Sequence, residues 1–154
     1  MFPLATSVPL IVVHALSAAI WIGGLVAIFV VARVASATLD QAHRISFFRA
    51  LGRAYGVVGG AALLVALASG AFLLDDHPWD GLLSATAIVA AALLAVTAAG
   101  IVQARAMTRL RGRALEAPAL VDEVDRGAAL AAILRGAIAA LTLALVFLGA
   151  ALVA

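Results

Sequence analysis

The stretch VPLIVVHALSAAIWIGGLVAIFVVARV occupies residues 8–34 and contains one histidine and, near its end, one arginine. A helix needs about 20 mainly apolar residues to cross a bilayer, so this stretch predicts a membrane-spanning helix. A cleavable signal peptide has a basic start and an apolar core of about 7–15 residues. No basic residue precedes this run, and the run is longer. We therefore expect a retained first helix.

Three further apolar stretches follow, separated by a polar link around Asp40–Arg44, a short link at 75–80 and a longer one at 108–125. Short links place consecutive helices antiparallel. The predicted fold class is all-α: an integral membrane four-helix bundle, antiparallel up-down, forming a single transmembrane domain over residues 1–154. The predicted helices cover about 7–34, 47–74, 81–107 and 126–153.

The composition excludes an ordinary soluble domain. Hydrophobic residues make up 66% of the 154 residues and the mean hydropathy is +1.21, whereas globular chains are roughly half apolar. Cysteine is absent, which excludes disulfides, thiolate metal sites and thiol nucleophiles. The basic pI of about 10.4 does not indicate nucleic-acid binding, because the arginines flank the apolar spans. We expect the lipid bilayer to be the partner instead.

The cationic side chains predict the orientation. Lysine is absent, and all ten cationic residues lie on one side of the predicted bundle, at Arg33, Arg44, Arg49, Arg53, Arg105, Arg109, Arg111, Arg113, Arg126 and Arg135. Short loops rich in arginine stay in the cytoplasm, so both termini are expected on the non-cytoplasmic side (N-out/C-out). Arginine in place of lysine, with abundant Ala, Val, Leu and Gly, suggests a GC-rich bacterial genome. The expected location is the bacterial cytoplasmic (inner) membrane.

His14 is the main candidate for chemistry. It lies about two turns inside the outer end of helix 1, roughly 10 Å deep, and an ionisable residue inside a span is a functional hypothesis by default. Ser17 and Trp21 share its face, at i+3 and i+7. Its alternatives are haem axial ligand, metal ligand, proton carrier, or a neutral imidazole bonded to a neighbouring helix. Ser69, at similar depth in helix 2, is a candidate structural partner.

Three other residues within the spans have two interpretations each. Trp21, near the middle of helix 1, either packs against a planar cofactor or fills space beside Gly23 and Gly24. Arg53 and Arg135 lie about two turns inside the arginine-rich ends of helices 2 and 4. They either extend to the headgroups or together bind an anion such as a haem propionate or lipid phosphate.

The outer link Asp75–Asp80 is a second candidate metal site, with His77 and Asp76 as its ligands. Three carboxylates and an imidazole suit a harder or borderline metal ion. The alternative is an ordinary acidic external loop, with Trp79 as an interfacial anchor. The spans contain no Asp or Glu, which disfavours an ion-coupled transporter. No Ser-His-Asp arrangement or phosphate-binding glycine loop is found.

Helix 2 carries glycines at spacing four, Gly52, Gly56 and Gly60, which we call the glycine ladder. Small residues allow helix backbones to approach closely in lipid. The ladder is therefore expected to pack within the chain or to form a homodimer or a larger membrane complex.

The residues from His14 to Leu25, HALSAAIWIGGL, resemble the first helix of the copper-resistance protein D (CopD)-like membrane families. The start of helix 2, Phe47-Phe48-Arg49-Ala-Leu-Gly, and its Ser69-Gly70 are also similar. Related four-helix proteins include the HemJ-type protoporphyrinogen oxidases, in which a first-helix histidine is implicated in haem binding. The resemblance implies that His14 binds haem b. Those relatives commonly place a lysine early in helix 3, where this chain has 81–87 without one.

Three functions follow from these observations. The first is a small haem- or metal-binding membrane protein that uses His14 in the outer half of the bundle, for electron transfer or cofactor handling. The second is a non-catalytic accessory or scaffold subunit without a cofactor. The third is a HemJ-like oxidase, which the missing lysine disfavours. Copper is disfavoured because Cu(I) prefers sulfur ligands and the chain has only two methionines. Enzymatic activity is not expected from the first two.

Overall fold

The computed structural model describes residues 4–114 and 121–153, which form four long α-helices. The helices are α1 (Leu4–Thr38), α2 (Gln41–Leu73), α3 (Gly81–Ala114) and α4 (Val121–Val153). Each contains a segment long and apolar enough to cross a membrane: Val8–Thr38, Ser46–Leu73, Gly81–Met107 and Arg126–Leu152. The predicted class, an all-α protein of four membrane-spanning helices, is confirmed. The chain is a multi-pass membrane protein.

The helix α2 begins earlier than predicted, at Gln41 instead of Phe47. The cause is Asp40, whose carboxylate accepts a hydrogen bond from the backbone N–H of His43 at 2.9 Å. The first N–H groups of a helix have no partner within the helix, and an aspartate at this position satisfies one of them. The polar link is therefore largely the first turn of α2.

The predicted loop 108–125 is also shorter than expected. The helix α3 continues to Ala114 and α4 begins at Val121. Continuing the helix past the apolar span keeps the backbone hydrogen bonds made, and arginine, leucine and alanine are good helix formers. Pro118, predicted to lie before helix 4, falls in 115–120, outside the described residues.

The chain comprises two compact units, Met1–His77 and Pro78–Ala154, each of which contains a pair of helices. In the first hairpin, α1 and α2 are antiparallel, because His14 contacts Ala66 whereas Trp21, further along α1, contacts Tyr55. In the second hairpin, Gln103 at the far end of α3 contacts Gly127 near the start of α4.

Most of the buried residues are small or mid-sized. In the first hairpin the buried apolar side chains are those of Trp21, Ala35, Ala62, Leu63 and Ala66. In the second hairpin they are those of Leu83, Leu93, Met107 and Leu152. Many large apolar side chains point outward, among them Phe29 and Phe147, which are 68% and 72% exposed. In a bilayer such side chains can contact lipid tails or other helices, so their apolar surface is not exposed to water there.

Candidate functional site around His14

His14 joins α1 to α2 through its imidazole ring. Its Nδ1 atom lies 2.9 Å from the carbonyl oxygen of Ala66 and 3.2 Å from Oγ of Ser69. A carbonyl oxygen can only accept a hydrogen bond. Nδ1 of His14 therefore carries a proton and donates a hydrogen bond to the carbonyl oxygen of Ala66. In the tautomer with its proton on Nδ1, the lone pair lies on Nε2. The structure thus assigns each ring nitrogen a different role.

The surroundings of the ring are small and closely packed. Ser69 is buried, and its hydroxyl donates to the carbonyl oxygen of Val65 at 2.6 Å. A Cβ atom built on Gly70 would lie 3.1 Å from Cε1 of His14 and 3.4 Å from Nδ1. The imidazole therefore rests against the glycine. The predicted partnership between His14 and Ser69 is confirmed by this geometry.

Trp21 lies on the same face of α1 and is only 6% exposed. Ser17, between the two residues, is also buried. The carbonyl oxygen of Trp21 accepts a hydrogen bond from the hydroxyl of Tyr55 at 3.1 Å. Trp21 is thus part of the contact between α1 and α2, which agrees with the space-filling interpretation. A role beside a planar cofactor stays a prediction.

Tyr55 belongs to this contact, although the sequence analysis did not identify it. Its ring occupies the space where Gly24 would carry a Cβ atom, and it also packs against Gly59. A signal was present, because Tyr55 is the only tyrosine and lies inside an apolar span. A tyrosine hydroxyl in such a place normally finds a hydrogen-bond partner, and the carbonyl of Trp21 is that partner.

Arg53 and Arg135 are both exposed on their own hairpins, Arg53 on α2 and Arg135 on α4. Arg49, one turn from Arg53, is exposed as well. Exposure agrees with side chains that extend toward lipid headgroups. Binding of a haem propionate by Arg53 and Arg135 stays a prediction.

The candidate metal ligands of the outer link, His77 and Asp76, are both exposed. Among the side chains that the structure describes, no three His, Asp or Glu residues are grouped so that they could hold a metal ion. Asp80 has a structural role, since its carboxylate accepts from the backbone N–H of Leu83 at 2.7 Å and caps α3. A metal site at His77 and Asp76 gains no support from this geometry.

The glycine ladder is open in the described chain. A Cβ atom built on Gly52, Gly56 or Gly60 meets no described atom within 4 Å. The close approach of α1 to α2 occurs instead at Gly24, which meets Tyr55, and at Gly70, which meets His14. Packing of the ladder against α1, one form of the expected contact within the chain, is therefore not observed.

These features define the site by its residues alone. No family model, no curated protein and no solved structure matches the chain. The likeness of helices 1 and 2 to the CopD-like and HemJ-type proteins accordingly stays a prediction. The contacts of His14 and its neighbours are therefore the observations that bear on the function.

Proposed function

We propose that this multi-pass membrane protein binds haem iron, or another metal ion that accepts imidazole, through Nε2 of His14. The observation that carries the proposal is the hydrogen bond from Nδ1 to the carbonyl oxygen of Ala66. Histidines that ligate metals almost always donate their other ring N–H to a carbonyl, carboxylate or water. This bond sets the tautomer, orients the ring and makes Nε2 a better donor to a metal.

The residues present fit one axial position of a haem. His14 is half-buried on an apolar helix, and a low-polarity environment with a single oriented imidazole is what a proximal ligand requires. His14 is also the only histidine within the four spans. One chain therefore has one histidine that would hold the metal, and any further ligand would have to come from another type of group or from a second copy. A bound haem would supply one-electron chemistry at this position.

Copper fits less well. The only methionine whose side chain the structure describes is Met107, which is buried in the second hairpin and packs against Gly127. Imidazole suits zinc, copper and iron alike, but Cu(I) pathways use soft sulfur ligands. The HemJ-like oxidase interpretation stays a prediction that no contact of the described residues favours.

The test is the visible absorption spectrum of detergent-purified protein from haem-supplied cells. Wild-type protein is expected to show a Soret band, and His14→Ala is expected to lose it. His43→Ala is the matched control, because His43 is exposed and pairs with Asp40 at 2.7 Å; it should keep the band. A band unchanged in His14→Ala, or wild-type protein free of haem and metal, would show that the proposal is wrong.

The proposed orientation places the arginine-rich ends in the cytoplasm of a bacterial cell and both termini outside the inner membrane. Because the chain has no cysteine, single cysteines report the sidedness directly. Asp76→Cys should react with a membrane-impermeant maleimide in intact cells. Ala37→Cys, at the opposite end of the first hairpin, should react only after the membrane is permeabilised. The reverse labelling result would show that the protein has the opposite orientation in the membrane.

A second candidate function, a scaffold or accessory subunit, is favoured by the open glycine ladder. A face of small residues without contacts in the described chain suits a second helix in lipid, whether from another copy or from a different membrane protein. Gly56→Leu should then release the partner, whereas Gly136→Leu, at another open glycine, should not. Loss of the partner in both variants would contradict a ladder-specific contact.

A further inference from the structure

A groove of about 540 Å³ opens between α3 and α4, at the end of the second hairpin where both membrane spans stop. The span in α3 ends at Met107 and the span in α4 begins at Arg126. Both residues line the groove. The groove therefore straddles the boundary between the apolar part of this hairpin and its arginine-rich end.

The lining changes in chemistry along the helix axis. The part inside the spans is formed by Gln103, Met107 and Leu130, so it is apolar apart from one amide. The part at and beyond the span ends contains Arg109 and Arg126, and both are exposed. Arg109 lies six positions after Gln103 in the helix, which is about 9 Å along its axis. An occupant that matches this lining has a charged anionic end and an apolar body.

The two helices are held together beside the groove. The amide nitrogen of Gln103 donates to the carbonyl oxygen of Gly127 at 3.3 Å. The sulfur of Met107 occupies the space that a Cβ atom on Gly127 would need. Glycine at this position therefore lets the end of α4 approach α3 closely. The groove is a feature of packed helices and not of a loose loop.

We propose that this groove binds an anionic phospholipid, with its phosphate at Arg109 and Arg126 and its acyl chains along Met107 and Leu130. A guanidinium group pairs with phosphate through two parallel hydrogen bonds. Basic pockets between spanning helices, at the level of the headgroups, are typical binding sites for anionic lipids.

The apolar part of the groove favours a phospholipid over a free phosphate ion as the occupant. A free phosphate ion would use only the arginine end and leave the apolar lining without an occupant. A phospholipid uses both ends, and its acyl chains stay in the bilayer that surrounds the hairpin. The site is on a different hairpin from His14, so it is independent of the proposed haem or metal ligand.

The test is a lipid titration of the full-length protein in nonionic detergent, followed by native mass spectrometry. Dioleoyl phosphatidylglycerol is the probe, and dioleoyl phosphatidylcholine is the comparison without net charge. The double variant Arg109→Gln/Arg126→Gln should weaken binding of phosphatidylglycerol at least about tenfold, because both guanidinium groups that pair with the phosphate are removed. Arg33→Gln/Arg49→Gln removes the same charge from the first hairpin, and it should bind as the wild type does.

A second variant tests the shape of the groove without a change in charge. Ala106 lines the groove and is exposed, so Ala106→Trp should fill the groove and displace the lipid while both helices stay intact. Equal losses in the two arginine pairs would indicate general charge attraction and overturn the proposal. Undiminished binding in Ala106→Trp would also overturn it. So would full competition by inorganic phosphate, which would assign the site to the free ion.

Discussion

The two hairpins use the same type of close packing but differ in what crosses between their helices. In the α1–α2 hairpin, His14 and Tyr55 each bond to a carbonyl of the opposite helix, at 2.9 and 3.1 Å. In the α3–α4 hairpin, the corresponding bond from Gln103 is longer, 3.3 Å, and lies at the end of the hairpin. The interior of the second hairpin is occupied by residues such as Leu93, which is 1% exposed.

The comparison shows that a hydrogen bond between two helices can have a role other than holding the helices together. Helices in lipid associate through small residues and packing, and a hydrogen bond between them adds only about 0.6 kcal/mol on average. The bond from His14 to Ala66 does more than join the helices, because it fixes the orientation of the ring and places a proton on Nδ1. In the second hairpin the polar side chains include Gln103, which bonds to Gly127, and the buried Thr142 within α4.

The largest effect is expected for Gly24→Leu. A side chain at this position would overlap the ring of Tyr55, which is held in place by Gly59 and by the carbonyl of Trp21. We expect the free energy of unfolding to fall by about 3 kcal/mol, measured by SDS titration in mixed micelles. Gly23→Leu is the control, because a Cβ atom there meets nothing described within 4 Å. Equal losses in both variants would contradict the assigned contact.

His14→Ala should cause the second largest loss of free energy of unfolding. It removes the bond to Ala66 and the packing of the ring against Gly70, and the expected loss is about 2 kcal/mol in the same titration. His43→Ala, in the exposed pair with Asp40, should cost less than about 1 kcal/mol. If His14→Ala left the stability unchanged, the polar bonds of the first hairpin would not contribute to its packing.

Gly127→Ala tests the second hairpin. The added methyl group overlaps the sulfur of Met107, but a methionine side chain adapts, so the expected loss is only about 1 kcal/mol. Gly136→Ala has open space around it and should be neutral or slightly stabilising, since alanine is the better helix former. A loss as large as that of Gly24→Leu would mean that the second hairpin is as tightly constrained as the first.

The smallest effect is expected for Tyr55→Phe, about 0.6 kcal/mol. It removes only the hydroxyl that donates to Trp21 and leaves the ring on Gly24. Gln103→Leu is the counterpart in the second hairpin, where it removes the longer bond to Gly127. Tyr55→Phe should lower the free energy of unfolding more than Gln103→Leu does. The opposite order would show that the polar contact of the second hairpin is the stronger one.

The sequence by itself determined the class of fold, because four runs of apolar residues admit few solutions in which the backbone hydrogen bonds are satisfied in lipid. The spans agree with the predicted helices to within a few residues, except where α1 runs on to Thr38. The helix ends were less predictable. Residues such as Arg109 and His43 are polar enough to suggest a loop, yet they continue or begin a helix that already has its bonds or its Asp40 cap.

The site was predictable in part. His14 was identified because a histidine inside a span is costly, and Ser69 because it lies at the same depth. Only the tertiary structure decided that Nδ1 donates to Ala66, that Tyr55 packs on Gly24, and that the glycine ladder is open in the described chain. The physical reason is that spans apolar nearly all round give no periodic signal for the buried face. Which face of each helix meets its neighbour is set by the packing of the pair.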